Sequence, residues 1–241
     1  MTEAERQRII RLKLCSLADH CVHPGYVVPS GFAGIDAVLG IGGFPRSRIV
    51  EISGPAASGK TTIALRAIAA MQRVGGAAAF IDADHAFDAR RGAALGVNLE
   101  RLVLVQPDWG EQALAIVHSL ALSGGLDLVV IDSAAALVPR LELDNSLASA
   151  PPGLHAAVLG RALRKLVPVA ARTGVCILFL NQLRSARATN TSETTSGGPA
   201  LKAYAAVRAE LRPLAAGGKV RFRVIKNKLG RAPQETDIIV R

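Results

Sequence analysis

The chain has 241 residues and a formal net charge of +10, a length that fits one large domain or one domain with a small appendage. Half of its residues are hydrophobic and 20% are charged, which excludes a disordered chain. Apolar runs such as residues 128–131 and 176–180 are far shorter than the roughly 20 residues that cross a bilayer, and the start, MTEAERQRII, carries charges where an export signal is apolar, so a cytoplasmic protein with no membrane partner is expected.

Taken in chain order, residues 3–18 form a basic amphipathic pattern with Ile9, Ile10, Leu14 and Leu17 on or near one helical face, broken by Pro24 and Gly25. Cys15, His20, Cys21 and His23 crowd together there but match no common zinc spacing, and are read as side chains at a helix end. With Cys176 inside an apolar run, three cysteines make no disulfide framework. Short runs rich in Val and Ile, each ending in a polar residue, follow at residues 48–53, 77–82, 102–106, 126–132 and 175–181. They read as buried parallel strands. Helical stretches at 61–74, 110–122 and 154–173 alternate with them. The alternation predicts an α/β fold with an open, mostly parallel doubly wound sheet, in which ligands bind at the carboxyl ends of strands.

Beyond residue 200 the pattern changes, and residues 202–213, 219–227 and 235–240 read as further strands, an antiparallel extension of the same sheet joined by Gly217-Gly218 and Gly230. Ten Lys and Arg face three acids between residues 202 and 241. That excess favours a polyanionic partner, nucleic acid first, although a GC-rich genome also produces an arginine-rich chain. Residues 139–153 and 183–198 take no regular assignment, and loops this long in a compact domain are usually functional or disordered.

Residues 54–61, G-P-A-A-S-G-K-T, match G-x-x-x-x-G-K-[ST] in full, between a predicted strand and a predicted helix. Such a loop turns backbone N–H groups toward phosphate oxygens at a helix N-terminus; Lys60 reaches the β and γ phosphates, and the Thr61 hydroxyl can ligate Mg²⁺. Gly54, Pro55, Ser58, Gly59, Lys60, Thr61 and Thr62 are therefore candidate ATP-binding residues. Asp132 ends the run LVVID, which places its carboxylate beside the loop as a second Mg²⁺ candidate. Hydrolysis also needs a group that orients water, and the polar cluster Asp82, Asp84, His85 and Asp88 offers Asp84.

GPAASGKTT, FIDADHAFD, LGVNLERLVLVQPDWGEQAL, VVIDSAAALVP, ALRKL, FLNQLR, SGGPALKAYAAVR and VIKNK occur in the order and near the spacing of the bacterial RecA recombinase core. From about residue 28 to 240 the chain resembles that family. The resemblance implies a RecA-type P-loop NTPase fold over residues 26–241, a short helical segment at 1–25 as a candidate for oligomerisation, and no counterpart of the family's C-terminal domain. The implied activity is ATP-dependent filament formation on single-stranded DNA with homologous pairing.

Carried over by position, the resemblance puts Lys60, Thr61 and Asp132 on nucleotide and Mg²⁺, Asp84 where the family has a catalytic glutamate, and Gln182 on the γ-phosphate. It puts Asp88 on adenine and Arg91 in place of a stacking tyrosine, while Lys226 and Lys228 reach a neighbouring subunit's ATP in a head-to-tail assembly. The two unassigned loops become DNA loops, with Arg164, Arg184, Arg187, Gly197 and Gly198 as the matching residues. Departures stand beside them: Ala157 and Gly160 replace an arginine and a serine, the second loop is shorter, and Ala56-Ala57 replaces Glu-Ser. Two functions fit. One is a working recombinase in DNA repair, nucleoid-associated and DNA-dependent in its ATPase. The other is an accessory protein in DNA-damage tolerance, partnered with another RecA-like protein or an error-prone polymerase subunit. A small-molecule kinase leaves QPDWGEQAL, SGGPALK and IKNK unexplained.

Overall fold

The computed structural model describes residues 27–144, 151, 153–185, 193–214 and 218–240; the predicted N-terminal helix, with Cys15, His20, Cys21 and His23, lies outside them. A short antiparallel pair, β1 (Val27–Val28) and β2 (Phe44–Pro45), brackets helix α1 (Ala33–Leu39). The main sheet then begins with β3 (Ile49–Gly54), α2 (Lys60–Arg73), β4 (Ala78–Asp82), α3 (Ala89–Ala94), β5 (Leu102–Val105), α4 (Gly110–Leu122) and β6 (Leu128–Asp132). It continues through α5 (Arg140–Asp144), α6 (Leu154–Thr173), β7 (Cys176–Ser185), β8 (Glu193–Thr195), α7 (Gly198–Tyr204), β9 (Val207–Pro213), β10 (Lys219–Asn227) and β11 (Gln234–Ile239).

Across the sheet the order is β11-β10-β9-β3-β7-β6-β4-β5, with β8 on β7. Pairings from β9 across to β5 are parallel, and those that carry β10 and β11 are antiparallel. This is the expected α/β architecture, a mostly parallel doubly wound sheet with an antiparallel extension. The apolar runs are continuous because both faces are covered. On β3, Val50 and Ile52 join Ile35, Ile63 and Ile68 in one core, while Ile49 joins Val117, Leu159 and Leu163 in the other. Each such buried aliphatic side chain contributes roughly 1.5–3 kcal/mol relative to exposure. Among the described residues, no helix is long and apolar enough to cross a membrane.

Three sequence expectations are corrected. Residues 202–213 are not one strand. Gly197 (φ 89°) opens α7 with Pro199 in its first turn, a position where proline's missing N–H costs nothing, so the strand starts only at Val207. The strand at 102–106 is not buried: β5 ends the sheet, which leaves Val103 40% and Leu104 42% exposed. The two unassigned loops are partly regular, since α5 lies in the first and β8 pairs antiparallel with an extended β7 in the second. Because β3, β7, β6 and β4 are parallel neighbours, their carboxyl ends share one edge. The phosphate loop, Asp132, the turn that carries Asp84 and both long loops all leave from it.

Candidate functional site

The loop after β3 folds as its glycines require. Gly59 takes φ +91°, and a Cβ there would meet Val240 Cγ2 at 2.9 Å, so glycine serves both the backbone conformation and the packing of the segment after β11 over the loop. Ala57 adopts a left-handed φ of 56°, a strain of about 1–2 kcal/mol for a residue with a Cβ. Lys60, only 8% exposed, donates to the carbonyls of Pro55 at 2.7 Å and Gly54 at 3.0 Å and reaches Ser58 Oγ at 3.4 Å. Burial holds its amine below the usual lysine range, against the pull of the Asp132 and Asp84 carboxylates. The amine therefore lies folded across the loop, solvated by the loop's own carbonyls.

Thr61 Oγ1 donates to Asp132 Oδ2 at 2.7 Å. A hydroxyl and a carboxylate oxygen thus converge beside the loop, the hard oxygen pair that Mg²⁺ prefers. Burial pushes the Asp132 carboxyl up to about 6, with the carboxylates of Asp84 and Asp82 adding to it and the Thr61 hydroxyl and Lys60 opposing. A folded pKa above the unfolded value of about 3.9 means that ionised Asp132 destabilises the metal-free fold above pH 6, and that stability returns as pH falls through 6 toward 4. Asp132→Asn should flatten that slope and raise the metal-free melting temperature at pH 7 by a few degrees. Thermal melts from pH 4 to 7 without Mg²⁺ test this; parallel curves for both proteins would refute it.

The polar cluster after β4 divides by role. Asp82 is buried, and its carboxylate accepts the N–H groups of Ala86 and Phe87, each at 3.0 Å, and Gln106 Nε2 at 2.8 Å. It builds the turn. Asp84 is exposed, its N–H donates to the Asp132 carbonyl at 3.2 Å, and its Oδ1 accepts from Ser133 Oγ at 3.2 Å. The strand that ends in Asp82 follows the phosphate strand in sequence, yet β7 and β6 stand between them in the sheet, so Asp84 meets the site across β6. With Ser133 holding the short side chain back, Asp84→Glu should raise ATP turnover, by up to about 100-fold given how steeply rate depends on ångström-scale placement. Steady-state turnover decides it: an unchanged or lower rate rules Asp84 out as the water-orienting group or shows a turn already adapted to Asp.

A cavity of about 310 Å³ adjoins the loop, lined by Thr61 and Thr62 on one side and by Arg91, Leu214, Lys219 and Val240 on others. Asp88 caps α3, its Oδ1 accepting from Arg90 and Arg91 N–H at 2.8 and 3.2 Å. Arg91 Nη2 donates to Thr62 Oγ1 at 2.6 Å, which fixes the guanidinium on the cavity wall. Gln182 pairs in register with Gly54, the first residue of the phosphate loop. Sequence alone assigns no role to Asn181 beside it or to Ser133, although FLNQLR and VVIDSAAALVP contain them, nor to the Leu214 and Val240 wall, which no motif marks.

Lys226 on β10 and Lys228 just beyond its end differ. Lys226 Nζ donates to the carbonyls of Lys202 at 2.7 Å and Ala203 at 3.0 Å, at the C-terminus of α7, whereas Lys228 is exposed with no side-chain partner among the described residues. Neither joins the cavity of its own chain: Lys226 lies seven residues along the strand from Lys219, about 23 Å at the rise of a strand. Arg164 is exposed on α6, again without a partner among the described residues. Gly197 and Gly198 lie against α6, where a Cβ would meet Leu159 at 2.5 Å and Ala156 at 2.8 Å, so packing already requires both. Arg184 lies on β7, and Arg187 falls outside the described residues. No group of three or more His, Cys, Asp or Glu that could hold a metal occurs among the described residues, so Thr61 and Asp132 stand as a two-residue oxygen site.

Comparison with known proteins gives a match to the RecA N-terminal domain over residues 8–240. Relatives include Protein RecA 1 of Myxococcus xanthus, 48% identical over 221 residues, which are 88% of this chain and 65% of that protein. Protein RecA of Leifsonia xyli subsp. xyli is 49% identical over 216 residues, 86% of this chain and 60% of the relative. For Protein RecA of Bordetella avium the values are 47% over 217 residues, 86% and 62%. The chain spans less than two thirds of the length of these relatives.

Proposed function

The chain belongs to the RecA family, and on that premise we propose that it is an ATP-dependent recombinase that binds single-stranded DNA and acts in DNA repair and homologous recombination. The observation that carries this is the shared edge of the sheet, where the phosphate loop, the Thr61 and Asp132 oxygens, Gln182 beside Gly54 and two long loops all emerge. In this reading Lys60 exchanges its carbonyl partners for the β and γ phosphates, Thr61 and Asp132 hold Mg²⁺, and Asp88 and Arg91 hold the adenine, the guanidinium plane stacking on it. Mg²⁺, when bound, neutralises charge on the phosphates. Asp84 orients the attacking water, and Gln182 meets the γ-phosphate. Arg164, with Arg184, Arg187 and the backbone at Gly197 and Gly198, binds DNA phosphates, and Lys228 with Lys226 serves the nucleotide of a neighbouring copy.

Ala157, exposed on α6 where the family supplies an arginine, favours a second reading: an accessory protein in damage tolerance, bound to another RecA-like protein or an error-prone polymerase subunit. ATP turnover with and without single-stranded DNA, with electron microscopy for filaments, separates the two. DNA-stimulated turnover on filaments is expected; nucleotide binding with neither DNA binding nor filaments would transfer the proposal to the accessory role.

A further inference from the structure

Arg91 brings more to its position than stacking on a base requires. Among the residues that line the cavity beside the phosphate loop, Lys60, Arg91 and Lys219 are cations and none is a carboxylate. Such a lining leaves each cation to find its counter-charge elsewhere or in an anionic ligand. Lys60 is answered by the loop's own carbonyls, and Lys219 stands close enough to Asp237 to help hold that carboxyl below its usual range. Arg91 has no such relief. It is exposed, joins no ion pair among the described residues, and donates to the Thr62 hydroxyl at 2.6 Å.

That hydrogen bond fixes where the guanidinium lies. Thr62 is buried in the first turn of α2, directly after Lys60 and Thr61, so a group held on its hydroxyl stands at the phosphate loop. Arg91 also belongs to the first turn of α3, which Asp88 caps, on the wall assigned above to the adenine. It therefore joins the base end of the cavity to the phosphate end. A guanidinium is planar and carries five N–H donors in that plane, so one whose face lies on a base still has its edge to offer. One edge donor goes to Thr62. The others remain for the phosphate nearest the base, which must pass between this wall and Lys60. A tyrosine at the same position would offer a flat face without charge.

We propose that Arg91 is a phosphate ligand as well as a base platform, stacking on the base and donating to the α-phosphate of the nucleotide bound by its own chain. The proposal rests on the nucleotide reading given above and adds a contact to it. ATP and ADP share the α-phosphate, so the contact strengthens both alike, a uniform binding that raises affinity without favouring the transition state. Its consequence is retention of product. ADP leaves slowly, because differences in affinity between closely related complexes are expressed mainly in the off-rate.

Three variants separate the two roles: Arg91→Tyr keeps a stacking face and removes the charge, Arg91→Lys keeps the charge and removes the face, and Arg91→Gln keeps a donor for Thr62 without either. Affinity for ADP and for a non-hydrolysable ATP analogue is read by fluorescence titration at low and high salt, and release of ADP by stopped flow. Arg91→Tyr should lose about tenfold or more in affinity for both nucleotides, the range of a charge-assisted hydrogen bond, and should release ADP faster by a similar factor. The loss should shrink as salt rises, and Arg91→Lys should bind ADP more tightly than Arg91→Tyr does. An Arg91→Tyr affinity for ADP equal to that of wild type, or not below that of Arg91→Lys, overturns the proposal and leaves stacking as the only role. So does a loss that salt does not change, which would mark a packing defect. Lys60→Ala keeps the two failures apart. If it loses ADP while Arg91→Tyr does not, the nucleotide reading stands and the α-phosphate contact alone is refuted. If Lys60→Ala binds ADP as well as wild type, or wild type binds neither nucleotide, the reading falls and the contact with it. Should Arg91→Tyr not fold, Arg91→Gln carries the decision by the same loss and the same salt dependence.

Discussion

Lys60→Ala should lower affinity for ATP at least about 100-fold, because hydrogen bonds to a charged partner contribute roughly 1.5–3 kcal/mol each and this ammonium is the side-chain counter-charge nearest the loop. In the nucleotide-free chain the same amine solvates the carbonyls of Gly54 and Pro55. Either substitution takes that donor from the two carbonyls, so Lys60→Met, which keeps the volume of the stem, is the companion variant that removes the charge without opening a cavity. Both should lose binding, and Lys60→Met should melt closer to wild type than Lys60→Ala. Fluorescence titration with an ATP analogue, beside thermal melts, separates a lost site from a lost fold. Affinity unchanged in both variants would remove residues 54–61 from the nucleotide site.

Lys60 also marks what the sequence discloses. The phosphate loop is legible because its chemistry is local: glycine where φ is positive, a lysine and a hydroxyl at a helix start, all within eight residues. Strands β3, β4, β6 and β7 are legible for a similar reason, since burial of both faces writes an unbroken apolar run. Strand β5 carries the same run, Leu102–Val105, and sits at an edge; strand order is a long-range property that composition does not encode. Helix α7 was hidden by alternation beyond residue 200, and only Gly197 with Pro199 announces its start. The partners of Glu51 lie 130 and 157 residues away in the chain, so a lone glutamate in a strand gives no sign that it joins β7 to β9. Asp82 and Asp84 look alike in sequence, and only the turn they build shows one buried as scaffold and the other exposed toward Ser133.

Assembly carries the second large effect. Lys226 lies about 23 Å along β10 from Lys219, which lines the cavity, and Lys228 lies two residues farther, just past the end of the strand, so neither serves a nucleotide of its own chain. If Lys228 acts on ATP, it acts on a neighbour's, and the contact is heterologous, head to tail, so that copies add into an open helix. A non-hydrolysable ATP analogue should then drive oligomers, and ADP should not, because a ligand shared between copies stabilises only the assembled state. Lys226 starts at a disadvantage, since its amine is already spent on the carbonyls of Lys202 and Ala203, and burial, together with the nearby charges of Lys228 and Arg208, holds that amine below the usual lysine range. Lys228 is exposed and without a side-chain partner among the described residues, which makes it the first of the two to engage. Lys228→Ala should therefore abolish analogue-induced assembly and DNA-stimulated turnover, while the affinity of a single copy for nucleotide changes by less than about threefold, because Lys60 and the loop backbone act within the subunit. Sedimentation velocity with analogue, with ADP and with single-stranded DNA reads the outcome. A wild-type chain that binds the analogue yet sediments as a monomer with DNA present is no filament-forming recombinase, and Lys228 would then be one more solvated lysine at a strand end.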